Sequence, residues 1–501
     1  MGDMFSNLGL GLQVAMTLKN IGLCFAGCLI GTLVGVLPGV GPVATIAILL
    51  PVTLTLDPTG ALIMLAGIYY GAQYGGSTTA ILVNIPGEAT AVVTAIDGHE
   101  MAKKGQAGLA LGLAAIGSFI AGTIATLLIA ALGAPMTKLG LLFGPAEYFS
   151  LMIMGLVLAV VLARGSLLKA IAMIALGILL STIGTDIETG RERLTFDLEM
   201  LYDGLEFAVL AMGLFGFAEI LKNLQNPEAR DVVRSKIGRL LPRWSEIREN
   251  LPAILRGTGL GSVLGILPGN GAILAPFASY ALEKRIAKRP AEFGHGAPAG
   301  VAGPESANNA GAQTSFIPLL TLGLPPNAVM ALMVGAMLIQ GVVPGPQVID
   351  RNPELFWGLI ASMWIGNLML LVINLPLIGL WVKLLRVPYR LLFPAIVLFC
   401  CIGIYSIGNT ADMVYLTAVF GLVGYVLHKL DFEPAPLALG FVLGRLLEEK
   451  LRQALIISDG DPMVFLQSPL SLSLLVIGAT ALAISALPAL RARRDEVFAE
   501  E

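Results

Sequence analysis

Seven stretches of this sequence run for 15 residues or more with almost no charged side chains. They are residues 109–132, 148–162, 167–183, 355–385, 391–407, 413–427 and 470–487. A helix needs about 20 mainly apolar residues to cross the hydrocarbon core of a membrane. Only 13% of the 501 residues are charged, against about 25% in soluble domains, so lipid must be the solvent for much of the chain. We therefore predict an all-α polytopic membrane protein with about 10–13 hydrophobic helical segments, because open strand edges are not tolerated in lipid.

An internal repeat divides the chain. Residues 27–41 read GCLIGTLVGVLPGVG and residues 257–271 read GTGLGSVLGILPGNG, with seven identities in fifteen positions at an offset of 230 residues. Spaced glycines alone are common in membrane helices, where they let backbones approach closely. The same glycine ladder ending twice in Pro-Gly-x-Gly is more specific, and it predicts two related membrane repeats, 1–235 and 236–501.

Each copy of the motif predicts a broken membrane segment, at 21–57 and at 257–281. Lys/Arg-rich loops mark the cytoplasmic side, and basic residues flank the second copy on both sides: Lys222, Arg230, Arg234, Lys236, Arg239, Arg243, Arg248 and Arg256 before it, and Lys284, Arg285, Lys288 and Arg289 after it. The second segment is therefore expected to enter and leave by one face, as a re-entrant hairpin. The first copy has almost no flanking positive charge, which favours a hairpin from the opposite face and hence inverted repeats. A single broken spanning helix fits each segment too.

A polar cluster follows each break, at 69–88 and at 303–327. Polar side chains inside a membrane are costly unless they are paired or line a cavity, and Ser306 to Ser315 alone supply six amide and hydroxyl groups in ten residues. Broken helices of secondary transporters form substrate and ion sites at the repeat interface. The predicted site residues are Pro38, Gly39, Gly41, Gly75, Gly76, Ser77, Thr78, Thr79, Asn84, Pro268, Gly269, Asn270, Gly271, Glu305, Ser306, Asn308, Asn309, Gln313, Thr314 and Ser315.

Neither cluster contains Arg or Lys. A carboxylate substrate would have to be held by helix N-termini, whose free N–H groups favour an anion, by hydroxyl and amide donors, and by co-bound cations. Oxygen ligands suit Na⁺, and the sequence suggests a sodium site near Gly39, Gly269, Asn270 and Asn309. Glu305 is the best single carboxylate for a coupling ion or proton, although an interfacial acid beside a Gly-Pro turn is an equally good interpretation. Glu88 and Asp97 are expected to lie in a loop.

Several classes of function find no support. The four cysteines lie in apolar stretches and suit packing, and the three histidines are scattered, so neither a metal site nor redox chemistry is indicated. No catalytic constellation, nucleotide motif or basic, aromatic-rich patch is present, which argues against an enzyme, an ATP-driven pump and a nucleic-acid partner. No cofactor is expected apart from a coupling ion, Na⁺ or H⁺.

At these residues the sequence resembles the large membrane subunit of the tripartite tricarboxylate transporter family. The resemblance covers nearly the whole chain and is carried by GTLVGVLPGVGP at 31–42, YYGAQYGGSTTAILVNIPGE at 69–88, DGHEMAKKGQAG at 97–108, GVAGPESANNAGAQTSFIPLLTLGLP at 300–325, GNLMLLVINLPLIGL at 366–380 and ALIISDGDP at 454–462. The chain departs from the family pattern at His99, where a tyrosine is usual.

The resemblance implies a permease of the bacterial inner membrane that works with a small membrane subunit and a periplasmic solute-binding protein. Such a permease imports citrate or related organic carboxylates, driven by a Na⁺ or H⁺ gradient, and related carriers use paired hairpins in an elevator-type movement. The C-terminus is expected in the cytoplasm. An antiporter or amino-acid carrier with the same broken helices, and a membrane scaffold or intramembrane enzyme whose polar clusters only pack, remain alternatives. The sequence leaves open the substrate, the stoichiometry and whether the chain forms a homo-oligomer.

Overall fold

The computed structural model describes residues 2–37, 41–84, 87–140, 142–163, 166–186, 188–225, 238–268, 271–384 and 389–485. Its first half contains α1 (Gly2–Ala15), α2 (Leu18–Val36), α3 (Gly41–Thr53), α4 (Pro58–Val83), α5 (Val92–Lys103), α6 (Ala107–Gly140), α7 (Pro145–Leu162), α8 (Leu167–Ser181), α9 (Phe207–Ala211) and α10 (Ala218–Gln225). A π-helical segment, Met212–Phe217, joins α9 to α10, and a 3₁₀ helix, Ala89–Ala91, precedes α5. The strands β1 (Gly184–Thr185) and β2 (Glu192–Arg193) pair antiparallel.

The second half contains α11 (Trp244–Ile266), α12 (Gly271–Ile286), α13 (Ala299–Thr314), α14 (Phe316–Leu322), α15 (Ala328–Ile339), α16 (Val348–Arg351), α17 (Pro353–Asn374), α18 (Ile378–Leu384), α19 (Tyr389–Gly408), α20 (Ala411–Lys429), α21 (Pro434–Ile457), α22 (Val464–Gln467) and α23 (Pro469–Ser485). The prediction of an all-α polytopic membrane protein is confirmed. Among the described residues, four helices are long and apolar enough to cross a membrane, Leu18–Val36, Ala107–Gly133, Pro353–Asn374 and Ala411–Lys429. The apolar run at 355–385 is two helices, α17 and α18, and not one.

Both copies of the glycine motif lie where the chain turns back. Lys19, at the start of α2, pairs with Asp57, which caps the start of α4, so α3 returns to the level at which α2 began. In the second half, Arg256 of α11 forms two hydrogen bonds of 2.7 Å with Glu283 of α12. The segments α2–α3 and α11–α12 are therefore hairpins. That the two halves are inverted repeats stays a prediction.

The membrane helices pack in two groups. The polar helices α4 and α13, their hairpins, α6 and α17 share the main hydrophobic core with α15 and the π-helical segment. A second core joins α7 and α8 of the first half to α21 and α23 of the second, through residues such as Leu151, Ala170, Leu439 and Leu474. On one edge of this second group, Asp186 beside β1 binds Arg452 of α21 and Arg193 of β2.

Candidate functional site

The glycine ladders hold each hairpin against a polar helix. A methyl group built on Gly27, Gly31 or Gly35 of α2 would lie 2.2 Å from a carbonyl oxygen of α4, at Met64, Ile68 and Ala72 in turn. The second copy repeats this geometry: methyl groups on Gly257, Gly261 and Gly265 would lie 2.2–2.3 Å from the carbonyl oxygens of Gly303, Ala307 and Gly311 in α13. In each pair of helices, the residue numbers of the contacting positions increase in the same direction, so the two helices are parallel. Only glycine permits so close an approach of two backbones.

A second break ends α4 in the first half and α14, the helix after α13, in the second. Asn84 ends α4 in the left-handed conformation, with φ 58°, and Gly323 ends α14 with φ 71°. These two positions are 239 residues apart, and four residues after each stands a polar residue that opens the next helical segment: Glu88 before the 3₁₀ helix and Asn327 before α15. The Asn327 side chain accepts a hydrogen bond of 3.0 Å from the Met330 amide.

These breaks and both hairpins meet at one cavity of about 440 Å³. Its walls include the first residues of α3, α12 and α15 and the turn that leads into α5, at Gly41, Pro42, Ala272, Ile273, Glu88, Thr90, Asn327 and Ala328. The first N–H groups of a helix have no partner within that helix and carry a partial positive charge. Four such helix starts around one cavity make it suited to an anion.

A second part of the cavity wall comes from the π-helical segment, α10 and α20. Leu214 and Phe215 belong to the π-helical segment, Lys222 to α10 and His428 to α20. Lys222 lies 3.6 Å from Glu219 of its own helix. These residues, and Gln73 and Thr90, are not among the predicted site residues. Gln73 lies inside the polar cluster at 69–88, but α10 and α20 carry no pattern that links them to the breaks.

Two carboxyl groups lie between the polar helices and their neighbours, and one of them, Glu88, lines the large cavity. Glu88 is half-buried, and its Oε1 accepts hydrogen bonds from Thr90 Oγ1 at 2.5 Å and Asn308 Nδ2 at 3.2 Å. Glu305 is buried between α13, α4 and α5, and its carboxylate accepts hydrogen bonds from Ser77 Oγ at 2.7 Å and from Thr94 Oγ1. The structure thus brings Ser77, Glu305 and Asn308, predicted from distant parts of the sequence, into one cluster.

A cavity of about 20 Å³ lies against Glu305. Tyr74, Ser77, Thr78, Ser118 and Asn374 supply its polar lining. A space of that size holds one water molecule. It is separate from the larger cavity and lies at the contact between α4, α6 and α13.

Most other predicted site residues make hydrogen bonds or contacts that join helices, and they do not line the large cavity. Thr79 donates to the Val36 carbonyl at 3.0 Å and so ties α4 to α2, while Gly75 packs on the α2 backbone. Asn309 donates to Ser118 Oγ at 2.6 Å, and Gln313 Oε1 accepts from Thr126 at 2.6 Å. The remaining hydroxyls donate to carbonyls of their own helix: Thr78 to Tyr74, Ser306 to Ala302, Thr314 to Ala310 and Ser315 to Ala312. Gly76 packs against Glu88.

The hairpin tips are only partly described. Pro38, Gly39, Gly269 and Asn270 lie outside the described residues. Gly41, with φ 60°, begins α3 and lines the large cavity, Gly271 begins α12, and Pro268 ends the turn after α11. Of the four residues named for a sodium site only Asn309 is described, and its amide nitrogen donates to Ser118 and to the Glu305 carbonyl. Within the described ranges, no group of three or more His, Cys, Asp or Glu side chains could hold a metal.

The expectation of a loop at Asp97 is wrong. Asp97 is fully buried in α5, where Oδ1 accepts the backbone N–H groups of Gly294, Gly296 and Ala297 at 2.7–2.9 Å. Its Oδ2 accepts the Tyr280 hydroxyl at 3.0 Å. The charges that follow Asp97 in sequence suggested solvent, but this carboxylate satisfies a turn of the other half of the chain, a contact that the sequence pattern does not reveal.

Comparisons with known proteins extend these observations. A family model described as the tripartite tricarboxylate transporter TctA family matches residues 21–439. A protein of Agrobacterium vitis, described as an uncharacterized 52.8 kDa protein in the TAR-I ttuC' 3' region, is 58% identical over 501 residues and covers all of both chains. A second Agrobacterium vitis protein, described as an uncharacterized protein in the TAR-II ttuC' 3' region, is 63% identical over 241 residues, which is 48% of this chain and all of that protein. No solved structure matches the chain significantly.

Proposed function

Because the chain belongs to the tripartite tricarboxylate transporter TctA family, we propose that it is the large permease subunit of a binding-protein-dependent secondary transporter. Its substrate is citrate or a related small organic carboxylate, and a Na⁺ or H⁺ gradient drives import across the bacterial inner membrane. Its partners are a small membrane subunit and a periplasmic solute-binding protein. Transport of this kind involves no catalytic step.

The observation that carries this proposal is the convergence of four helix starts on one cavity of about 440 Å³. Cavities of about 300–1,000 Å³ suit small-molecule ligands. The starts of α3, α12 and α15 and the turn before α5 line the same space, and the first N–H groups of a helix have no backbone partner within it. A carboxylate there would be bound without a deeply buried cation, as expected for a site that must also release its ligand.

The packing of the hairpins supports an elevator-type movement. Each hairpin contacts its polar helix backbone to backbone along three glycines, so that hairpin and polar helix would move together. A second part of the cavity wall comes from the π-helical segment, α10 and α20. Substrate bound between these walls would change sides when the hairpin unit slides along them. Inverted repeats would make the inward-facing and outward-facing arrangements similar in energy.

The orientation follows from charge. α10 ends just before the basic stretch at 226–256, which the positive-inside rule assigns to the cytoplasm. Lys222, near the end of α10, and His428, near the end of α20, both line the cavity. The cavity would therefore face the cytoplasm in this structure, and the C-terminus, which follows α23, would be cytoplasmic as well.

A charge placed in the cavity tests the proposal. Asn327→Asp keeps a side-chain oxygen that caps α15, because Asp and Asn are equally good capping residues, but it adds a negative charge where the carboxylate would bind. Two unit charges several ångströms apart in a partly buried site repel by roughly 1–3 kcal/mol, so the KM for citrate should rise about tenfold or more. Uptake would be measured in proteoliposomes that contain the permease, the small subunit and the binding protein.

Two controls accompany this variant. Asn327→Ser keeps the cap without the charge and should transport nearly as well as the natural protein. Thr17→Asp adds the same charge at the exposed cap of α2, away from the cavity, and should leave the KM unchanged. Normal citrate uptake by a folded Asn327→Asp permease would show that the cavity does not bind the substrate.

A further inference from the structure

Glu305 is a buried acid without a cationic partner. It is 1% exposed, and no Lys, Arg or His within the described ranges forms an ion pair with it. The titratable groups on the elements packed around α13 include the buried Tyr69, Tyr70, Tyr74, Asp97 and His99, the partly buried Glu88 and Tyr280, and the pair Arg256–Glu283. Asp97 and Tyr280 bind each other, His99 Nδ1 faces the Ile81 carbonyl, and Arg256 is occupied by Glu283. A negative charge on Glu305 would thus be uncompensated, and burial of such a charge is very costly.

The hydrogen bonds around Ser77 show how this charge is avoided. Ser77 Oγ lies 3.0 Å from the Gln73 carbonyl oxygen and 2.7 Å from Glu305 Oε2. A hydroxyl has one hydrogen to donate but can also accept, so a carboxylate and a carbonyl cannot both receive that hydrogen fully. The conflict disappears if Glu305 carries a proton on Oε2 and donates it to Ser77 Oγ. Ser77 then donates to Gln73, and Thr94 donates to Glu305 Oε1.

We propose that Glu305 carries the proton that couples substrate transport to the proton gradient in this permease. The inference rests on the proposed transport function and names its coupling ion. Glu305 is neutral while loaded, so the unit that moves with the substrate contains no unpaired buried charge at this position. Moving an unpaired charged group through a low-dielectric region costs free energy, and a neutral Glu305 removes that cost.

Release of the proton has a defined acceptor. The cavity of about 20 Å³ beside Glu305 has room for one water molecule. The Oε2–H bond breaks, the water takes the proton, and Glu305 keeps the electron pair as a carboxylate. That carboxylate then accepts the Ser77 hydrogen, which the Gln73 carbonyl loses.

The shift of the Ser77 hydrogen bond links proton release to substrate binding. Gln73 lines the large cavity, and its side-chain Oε1 has no hydrogen-bond partner among the described residues. Loss of the Ser77 hydroxyl leaves the Gln73 carbonyl with its helical N–H partner alone, and the carboxylate formed at Glu305 adds a negative charge to a helix that contacts α4. Proton release at Glu305 would therefore weaken binding of an anion in the cavity, as a symporter needs at the side where it unloads.

Infrared spectroscopy tests the protonation without any need for transport. The purified permease at neutral pH should show a carboxylic-acid C=O band that disappears in Glu305→Gln. The band should persist in Glu147→Gln, a control that alters a carboxyl group of α7 bound to Ser468 and the Gly144 amide. The absence of a band that depends on Glu305 would overturn the proposal, whether or not the permease transports citrate.

Transport by the full three-part complex tests the coupling. In sodium-free proteoliposomes with a pH-sensitive dye inside, citrate uptake by the natural permease should acidify the interior, and its rate should fall as the outside pH rises. In Glu305→Gln, proton movement and gradient-driven accumulation of citrate should each fall by about tenfold or more. The glutamine amide has no acidic proton to carry. In the same variant, the rate at which internal citrate exchanges for external citrate should change by less than about threefold. Glutamine is neutral, like the protonated Glu305, and therefore still permits the substrate-loaded unit to move.

The outcomes separate this inference from the transport function. Proton movement that continues in Glu305→Gln would overturn the inference, as would uptake by the natural permease that depends on sodium and moves no protons. If the Glu305 band is present but no carboxylate is transported, the proposed function fails while the protonated acid stands. Ser77→Ala, which removes the hydroxyl bonded to Glu305 but keeps the acid, should shift the pH dependence of uptake toward higher pH, because the carboxylate loses a stronger, charge-assisted hydrogen bond than the neutral acid does.

Discussion

A single methyl group on the glycine ladder should separate a hairpin from its polar helix. In Gly261→Ala the new methyl carbon would lie 2.2 Å from the Ala307 carbonyl oxygen, whereas carbon–oxygen contacts normally measure about 3.3 Å or more. Helices α11 and α13 would have to move apart by about 1 Å. Overpacking of this kind costs about 1–3 kcal/mol, and the neighbouring glycine contacts of the ladder would loosen as well.

The same helix supplies a matched control. Gly259 has no neighbouring atom within 4 Å of the position that a methyl group would take. Gly259→Ala should therefore gain about 0.5–1 kcal/mol, because alanine loses less conformational freedom in a helix than glycine does. The two substitutions change the same chemical group two residues apart, and they are expected to have opposite signs.

The first half allows an independent repetition. A methyl group on Gly31 would lie 2.2 Å from the Ile68 carbonyl oxygen, while Gly22 of the same helix has open space. Thermal unfolding in detergent would compare all four alanine variants, and each ladder variant should unfold several degrees below its control, as a difference of about 2–4 kcal/mol implies. Equal unfolding temperatures for Gly261→Ala and Gly259→Ala would refute the argument that close backbone contact fixes the hairpins.

Three further perturbations test other contacts. Asp97→Asn replaces a carboxylate that accepts four hydrogen bonds; it should destabilise the turn at 294–297 by about 2–4 kcal/mol, seen as faster hydrogen exchange of its amides. Arg452 holds the pKa of Asp186 below its ordinary value through a hydrogen bond, so the contact is complete above the ordinary pKa of an aspartate and is lost as the pH falls through the lowered one. The rate of limited proteolysis within residues 184–206 should rise on strong acidification of the natural protein, whereas the Arg452→Gln variant should be cleaved readily there at all pH values. Arg256→Gln leaves Glu283 buried without its partner and should cost about 1–3 kcal/mol after allowance for the partial exposure of Arg256; the double variant with Glu283→Gln should recover most of the loss in thermal unfolding.

The sequence predicted the helical class and the breaks because both depend on local composition. An apolar run long enough to span lipid has few alternatives to a helix, and Pro-Gly-x-Gly interrupts a helix wherever it occurs. The glycine ladder also indicated close helix contact, although it could not say which helix is the partner. That partner follows the break, 37 residues after Gly27 in the first half and 46 residues after Gly257 in the second.

The polar clusters were predicted as regions, but the role of each residue was not. Ser306 and Thr314 donate to carbonyls of their own helix, an arrangement open to any helical Ser or Thr, so their presence does not by itself imply a ligand. Ser77 and Glu305 meet because α4 and α13 cross in the tertiary structure. No periodicity within either segment encodes that crossing.

The wall formed by α10 and α20 was beyond sequence reasoning. Lys222 was interpreted only as one of the basic residues that mark the cytoplasmic side, and His428 as a scattered histidine. Lys222 follows the π-helical segment, Met212–Phe217, whose wider turn shifts the side chains after it, and α20, which carries His428, packs against that segment. Such segments often occur at functional sites, but they carry no reliable sequence signal.

Substrate protection of a cysteine placed in the cavity tests the central claim most directly. Ala272 lines the cavity at the start of α12, and Val343, which is 64% exposed, lies outside it. Ala272→Cys and Val343→Cys would be labelled with a maleimide in the complete complex, with and without citrate and related carboxylates, and the natural protein would report any labelling of its own four cysteines. A transported carboxylate is expected to slow labelling of the cysteine at position 272 and to leave the labelling rate at position 343 unchanged. Labelling at position 272 that no transported carboxylate alters would contradict the claim that the four helix starts form the substrate site.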